Sequence, residues 1–275
     1  QFETREEYKS AADSITRTGF TPANREATTS MLTSIYDRFI NAIAESRKAQ
    51  GLTPQTVREI IEATPLTGEE ALQRKLVDKL GRPEDAELAA IERAGGADNA
   101  GVVDINEYST KPPTGPVIAL VTGEGEIVGG PDESSPFSND QVMNGDAIAR
   151  ALLDASEDKN VKAIVFRVSS PGGSVVASDQ IAHAVETAQK RGKKVVVSMG
   201  AYAASGGYYV SAGADEIVAW PTTITGSIGV VGGKIILGDA MEHYLSTRTE
   251  TIQVGSPVAN FFTSSRPFNN AESAA

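Results

Sequence analysis

At 275 residues the chain is long enough for one large domain or two ordinary ones. Its 25 basic and 36 acidic side chains give a formal charge of −11 with no clustered basic stripe, which disfavours a nucleic-acid partner. Without a cysteine it can have no zinc–thiolate centre, disulfide or thiol nucleophile, and no apolar run approaches the ~20 residues needed to span a bilayer. The chain opens on the polar stretch QFETREEYKS rather than a signal peptide, and its start on Gln1 without a methionine leads us to expect a processed protein or an excised fragment.

From Gln1 to about Gly95 the pattern is helical. NREATTSMLTSIYDRFINAIAESRKAQG sets Met31, Leu32, Ile35, Phe39 and Ile43 at three- and four-residue spacing, the apolar stripe of a helix ended by Gly51. Such a stripe is expected to pack into a core. Thr53 then caps a helix with Pro54 at its first position, and Thr67 caps another that runs to Gly81 and carries Lys75 and Lys79 on its face. A glycine-, asparagine- and proline-rich linker follows over 96–116, broken most clearly by KPPTGP. This divides the chain into 1–95, the linker, and 117–275.

Beyond the linker, apolar runs alternate with helical ones: PVIALVTGEGEIV, DAIARALLDASEDKN, VKAIVFRVSS, DQIAHAVETAQKRGK, KVVVSMG and DEIVAW. Strand, helix, strand at this spacing reads as parallel βαβ units of an α/β fold. Ligands gather beyond the carboxyl ends of such strands, and there VKAIVFRVSSPGGS and KKVVVSMGAYAASGG both end in glycine-bearing loops that can converge on one site.

In the second loop Ser205 stands between small residues where a buried strand gives way to a helix. Small residues at such a junction can mean only that two backbones pack closely. A hydroxyl there also has unpaired helix N–H groups beside it, which suits a nucleophile that needs oxyanion stabilisation. SSPGGS lacks both the GxxxxGK[ST] and GxGxxG patterns, which argues against a nucleotide site. As an oxyanion loop it would supply the N–H of Gly173, with Gly206 supplying a second. Ser205 also needs a base. Of the two histidines, His183 lies in mid-helix and His243 on a helix surface, so a Ser-His-Asp triad is poorly supported. A lysine can take the role if burial lowers its pKa. Lys159, Lys162, Lys190, Lys193 and Lys194 flank strands as solvated groups, and Lys9 is followed by small residues that would let another segment approach. Composition alone does not choose Lys9.

FRVSSPGGSVVASDQI, VVVSMGAYAASGGYYVSAGADEIVAWPTTITGSIGV and EYKSAADSITRTGFTPANREA together resemble the signal peptide peptidase A (protease IV) family of the bacterial long form, as does TGEEALQRKLVDKLG at the close of that family's first repeat. The resemblance implies two joined repeats of a Clp-protease or crotonase-like fold, with a helical segment from the end of the first repeat preceding the α/β core of the second. It matches Ser205 to the nucleophile, Lys9 to the general base of a Ser-Lys dyad, and Gly173 to the oxyanion-loop glycine. It also implies a serine endopeptidase that degrades cleaved signal peptides and unfolded chains at the periplasmic face of the inner membrane, in a homo-oligomer, with no metal or organic cofactor. The chain is expected to be a central fragment, with the membrane segment outside it. Two other readings are a crotonase-like acyl-CoA enzyme, which would need an acidic catalytic residue and a cationic phosphate pocket, and a non-catalytic assembly module, which would tolerate Ser205→Ala.

Overall fold

The computed structural model describes residues 6–63, 65–98, 100–103, 115–130, 141–230, 233–247, 249–250, 260–270 and 272. The middle of the expected linker, 104–114, lies outside them, as does KPPT of the KPPTGP break. Among the described residues five α-helices come first: α1 (Asp13–Thr16), α2 (Pro22–Ser46), α3 (Pro54–Glu62), α4 (Gly68–Gln73) and α5 (Pro83–Arg93). They are followed by β1 (Val117–Glu124), β2 (Glu126–Val128), β3 (Val142–Asn144), α6 (Gly145–Glu157), β4 (Val161–Ser170), α7 (Val175–Lys190), β5 (Lys194–Ala204), α8 (Gly206–Ala212), β6 (Glu216–Val218), β7 (Ile224–Gly226) and α9 (Gly238–Leu245). The chain divides into two compact units, Thr33–Ile228 and a second composed of Gln1–Leu32 with Gly229–Ala275. Among the described residues no helix is long and apolar enough to cross a membrane.

The helix starts follow local chemistry. Thr53 Oγ1 accepts the Thr56 N–H at 3.2 Å while Thr56 Oγ1 accepts the Thr53 N–H at 2.8 Å, which satisfies two of the donors that a helix start leaves unpaired. Thr67 and Glu70 close the same reciprocal pair at the start of α4. Two expectations fail in this region. The stripe Met31, Leu32, Phe39 on α2 is exposed, and Ile35 and Ile43 are only half-buried. The side chains of α2 that enter a core are Ile40 and Ala44, because α3 presents Val57 and Ile60 to the neighbouring strip of the helix. The helix capped by Thr67 ends at Gln73 and does not reach Gly81. Lys75 takes a left-handed φ of 63° and donates from Nζ to the Gln50 carbonyl at 3.0 Å. The helix is closed by its own backbone: the Lys75 N–H donates to the Leu72 carbonyl at 3.0 Å and the Leu76 N–H to the Ala71 carbonyl at 2.9 Å, a Schellman end, so Lys75 and Lys79 are on no helix face.

The sheet of the Thr33–Ile228 unit is parallel, in the order β1-β4-β5-β6, with β7 also paired to β5. Parallel strands must be covered by crossover helices. Accordingly Ile164 and Phe166 of β4 and Val197 of β5 are fully buried in one core with Leu152 of α6 and Ile181 and Val185 of α7. Asn144 caps α6 by accepting the Ala147 N–H at 2.9 Å, and Ser174 caps α7 by accepting the Ala177 N–H at 3.3 Å. β5 runs past the expected KVVVSMG through Ala204, because its last residues pair with β7. The short strands β2 and β3 pair separately, and Ile127 of β2 also bridges to Gly173.

The other unit is tied by charge. Glu272, fully enclosed, receives two N–H groups of Arg266 at 2.7 and 2.8 Å and the Asn269 N–H at 2.9 Å. These donors hold its carboxyl down at about 2.

Candidate active site

β4 and β5 lie side by side and parallel, so their carboxyl ends deliver two loops to the same edge of the sheet. From β5 the chain passes directly into Ser205, which precedes α8 with φ 51° and ψ −118°. A non-glycine residue in that region carries about 1–3 kcal/mol of strain, and a sharp strand-to-helix turn of this kind lifts a side chain out of the sheet. Three contacts impose it. The Ser205 N–H donates to the Gly226 carbonyl at 2.9 Å, its own carbonyl accepts the Tyr209 N–H at 2.9 Å, and its flank rests on Gly172. The Ser205 side chain makes no capping bond to α8, unlike Asn144 and Ser174 at the starts of theirs.

The first loop is held against this turn by missing side chains. A Cβ on Gly172, whose φ is +105°, would lie 2.7 Å from Gly206 N, 2.7 Å from Ser205 Cβ and 2.9 Å from the Ala204 carbonyl oxygen. A Cβ on Gly207 would lie 2.6 Å from the Ser170 carbonyl, so α8 starts flush on the end of β4. Gly172 is buried and Gly173, next in the chain, is exposed. Ile127 pairs with the residues on either side of Gly173, accepting from Ser174 N–H and donating to the Gly172 carbonyl, both at 2.8 Å. In a parallel bridge this turns the Gly173 N–H away from β2. Neither it nor the Gly206 N–H has an acceptor among the described residues. Two unpaired donors thus flank a serine whose side chain is not used for capping, an arrangement suited to holding a developing oxyanion beside a nucleophile.

Ser205, Gly173 and Gly206 therefore come together in the Thr33–Ile228 unit. Lys9 belongs to the other unit, where it is exposed in the turn before α1, and its Nζ is 3.3 Å from where a Cβ on Gly229 would be. His183 is exposed in the middle of α7 beside Glu186, and His243 is exposed in the last turn of α9 against the edge of Tyr244. Lys193 donates to the Asp158 and Val161 carbonyls and Lys194 pairs with Asp215, all at the end of the sheet opposite Ser205. Sequence reasoning missed Gly172, the glycine packed on the serine, and Gly226, whose carbonyl fixes the serine N–H. The paired glycines of SSPGGS and the ITGS that closes the last strand were the available signals.

Two family models match the chain, peptidase family S49 over residues 1–95 and 187–275 and Clp protease over 137–225. The second covers α6, β4, α7, β5 and the Ser205 turn. Protease 4 of Salmonella typhi is 39% identical over 82% of this chain, and Protease 4 of Haemophilus influenzae 36% identical over 81%. A chloroplastic serine protease SPPA of Arabidopsis thaliana is 29% identical over 96%. The chain spans 37 to 39% of the length of these relatives. With two thirds of its residues matched by that family's model, the chain belongs to peptidase family S49.

Proposed function

We propose that this chain carries the catalytic groups of a serine endopeptidase working through a Ser205–Lys9 dyad. The observation that carries the reading is the strained turn at Ser205, flanked by the N–H groups of Gly173 and Gly206, which have no acceptor among the described residues. Ser205 Oγ attacks the scissile carbonyl and its proton passes to the neutral amine of Lys9. The oxyanion is held by the Gly173 and Gly206 N–H groups, each worth about 3–4 kcal/mol of barrier. Collapse expels the amine product, which takes the proton from Lys9. Water activated by the same amine then hydrolyses the acyl-enzyme.

The substrates are peptide chains, in particular signal peptides left after preprotein processing and other unfolded segments. The site of action is the periplasmic face of the bacterial inner membrane, within a homo-oligomer that limits entry to short or unfolded chains. Family membership and the relatives named Protease 4 support this reading. The chain organisation that goes with it is a helical end of a first repeat over 1–95 carrying the base and a second-repeat α/β core from 117 carrying the nucleophile. The mechanism requires no metal or organic cofactor.

The test is to treat the protein with a fluorophosphonate and map the adduct by mass spectrometry. A single adduct on Ser205, absent from Ser205→Ala, is expected. Stoichiometric labelling of a different serine would overturn the assignment.

A further inference from the structure

The Gly172–Gly173 loop has to be held at a fixed distance from Ser205, and within the described residues Ile127 touches both sides of that gap. Its backbone brackets Gly173 through the two 2.8 Å bonds to Gly172 and Ser174. Its side chain, 1% exposed, points at the other side: Cδ1 is 3.2 Å from the position of a Cβ on Gly206, the residue after the nucleophile. Gly172 Cα is 3.4 Å from that same position and Ser178 Oγ 2.5 Å, so Gly206 sits in a recess floored by these three groups. Ser178 is committed elsewhere, donating to the Ser174 carbonyl at 2.8 Å.

We infer that Ile127 is a positioning residue for acyl transfer: its terminal methyl sets the spacing between the Gly173 and Gly206 N–H groups, because its backbone brackets Gly173 while its side chain packs toward Gly206. This inference rests on the proposed role of those two donors. A close-packed contact transmits displacement because interiors hold few voids, so removing the methyl lets the Ser205–Gly206 turn settle toward β2. The ladder bonds are main-chain and survive the substitution. A shift of a fraction of an ångström between two donors weakens their grip on a transition state and leaves ground-state binding of the peptide nearly unchanged.

The experiment uses Ile127→Val, which keeps the β-branch and strand preference and deletes only the Cδ1 methyl, and Ile127→Leu, which keeps the carbon count. Inactivation by a fluorophosphonate gives a maximal rate and a half-saturation concentration, and Ser205→Ala is the control. For Ile127→Val the maximal rate should fall by about tenfold with half-saturation unchanged. Its melting temperature should move by no more than about 3 °C. Ile127→Leu should recover part of the rate. A wild-type maximal rate for Ile127→Val, or a rise in half-saturation that accounts for the whole loss, would overturn the positioning role. Labelling that persists in Ser205→Ala would instead show that the site itself was misassigned.

Discussion

Gly172→Ala is the sharpest probe of the candidate site. The new methyl would meet Gly206 N and Ser205 Cβ at 2.7 Å and the Ala204 carbonyl oxygen at 2.9 Å, separations that real Cβ atoms essentially never show. All three neighbours belong to the main chain or Cβ of the nucleophile turn and cannot rotate away. An alanine held at φ +105° adds about 1–3 kcal/mol of backbone strain. The loop must therefore retreat, carrying the Gly173 N–H with it, and the loss of one oxyanion donor lowers kcat by ~10²–10³, about 2.7–4 kcal/mol of barrier. Gly192→Ala supplies the control: its φ is +85°, but a Cβ there meets nothing within 4 Å. It bears backbone strain alone, about 1 kcal/mol, and should melt ~2–4 °C lower with normal kcat. The assay is steady-state hydrolysis of an internally quenched peptide together with thermal unfolding of both variants. A Gly172→Ala protein that keeps more than about a third of wild-type kcat would refute the argument, since even a single misplaced donor should cost far more. So would equal losses of activity in the two variants, which would reduce the effect to general destabilisation.

Lys9→Ala and Lys9→Arg should both lose turnover by at least ~10²-fold in peptide hydrolysis, the second because a guanidinium stays charged and cannot accept the serine proton; a Lys9→Arg enzyme with a tenth of wild-type kcat would remove lysine as the base. Asp215 accepts from Lys194, from the Val195 N–H at 2.9 Å and from Gln189 at 3.0 Å, and these hold its carboxyl well below the usual carboxylate range. Its unfolded value is ~3.9, so its contribution to stability is full above that pH and is lost as pH falls from there toward the folded value. The urea midpoint should accordingly drop less between pH 6 and 3 in Asp215→Asn than in wild type, and parallel curves would contradict the assignment. Thr53→Ala, which breaks the reciprocal cap of α3, should cost ~1 kcal/mol in chemical denaturation with no change in fluorophosphonate labelling.

What could be read from the sequence was whatever is written locally. VKAIVFRVSS coincides with β4, and Thr53–Pro54 and Thr67 open the helices they were expected to open. A cap or an apolar strand depends on residues within a few positions of one another. The misread features depend on distant partners. The spacing of Met31, Leu32, Ile35 and Phe39 shows that α2 has an apolar face, but which strip is buried depends on where α3 packs, and that selected Ile40 and Ala44. α4 stops short because Lys75 takes the left-handed position of a Schellman end, which turns Leu76 onto the core that α2 and α3 share. At the site, Ser205 was legible from the glycines and alanines around it, whereas its strain was not, because nothing in the residue type signals a positive φ. SSPGGS offered two adjacent glycines, and only the packing separates their parts: Gly172 lies against the serine and Gly173 leaves its N–H unpaired.

β5 shares one edge between two partners. Val196–Ser198 pair with β6, Tyr202–Ala204 pair with β7, and in the gap the Thr223 hydroxyl donates to the Gly200 carbonyl at 2.8 Å. The strand that bears Ser205 is thus completed by chain made after it, and the carbonyl that fixes the serine N–H is the last residue of β7. As the chain leaves the ribosome, β1, β4 and β5 can assemble while Ser205 still lacks the partner that holds its turn. The turn that holds the proposed nucleophile is therefore completed only once β7 has been made. Under the proposed function, a nascent chain surrounded by unfolded polypeptide, its own included, gains a working site only when its sheet has closed.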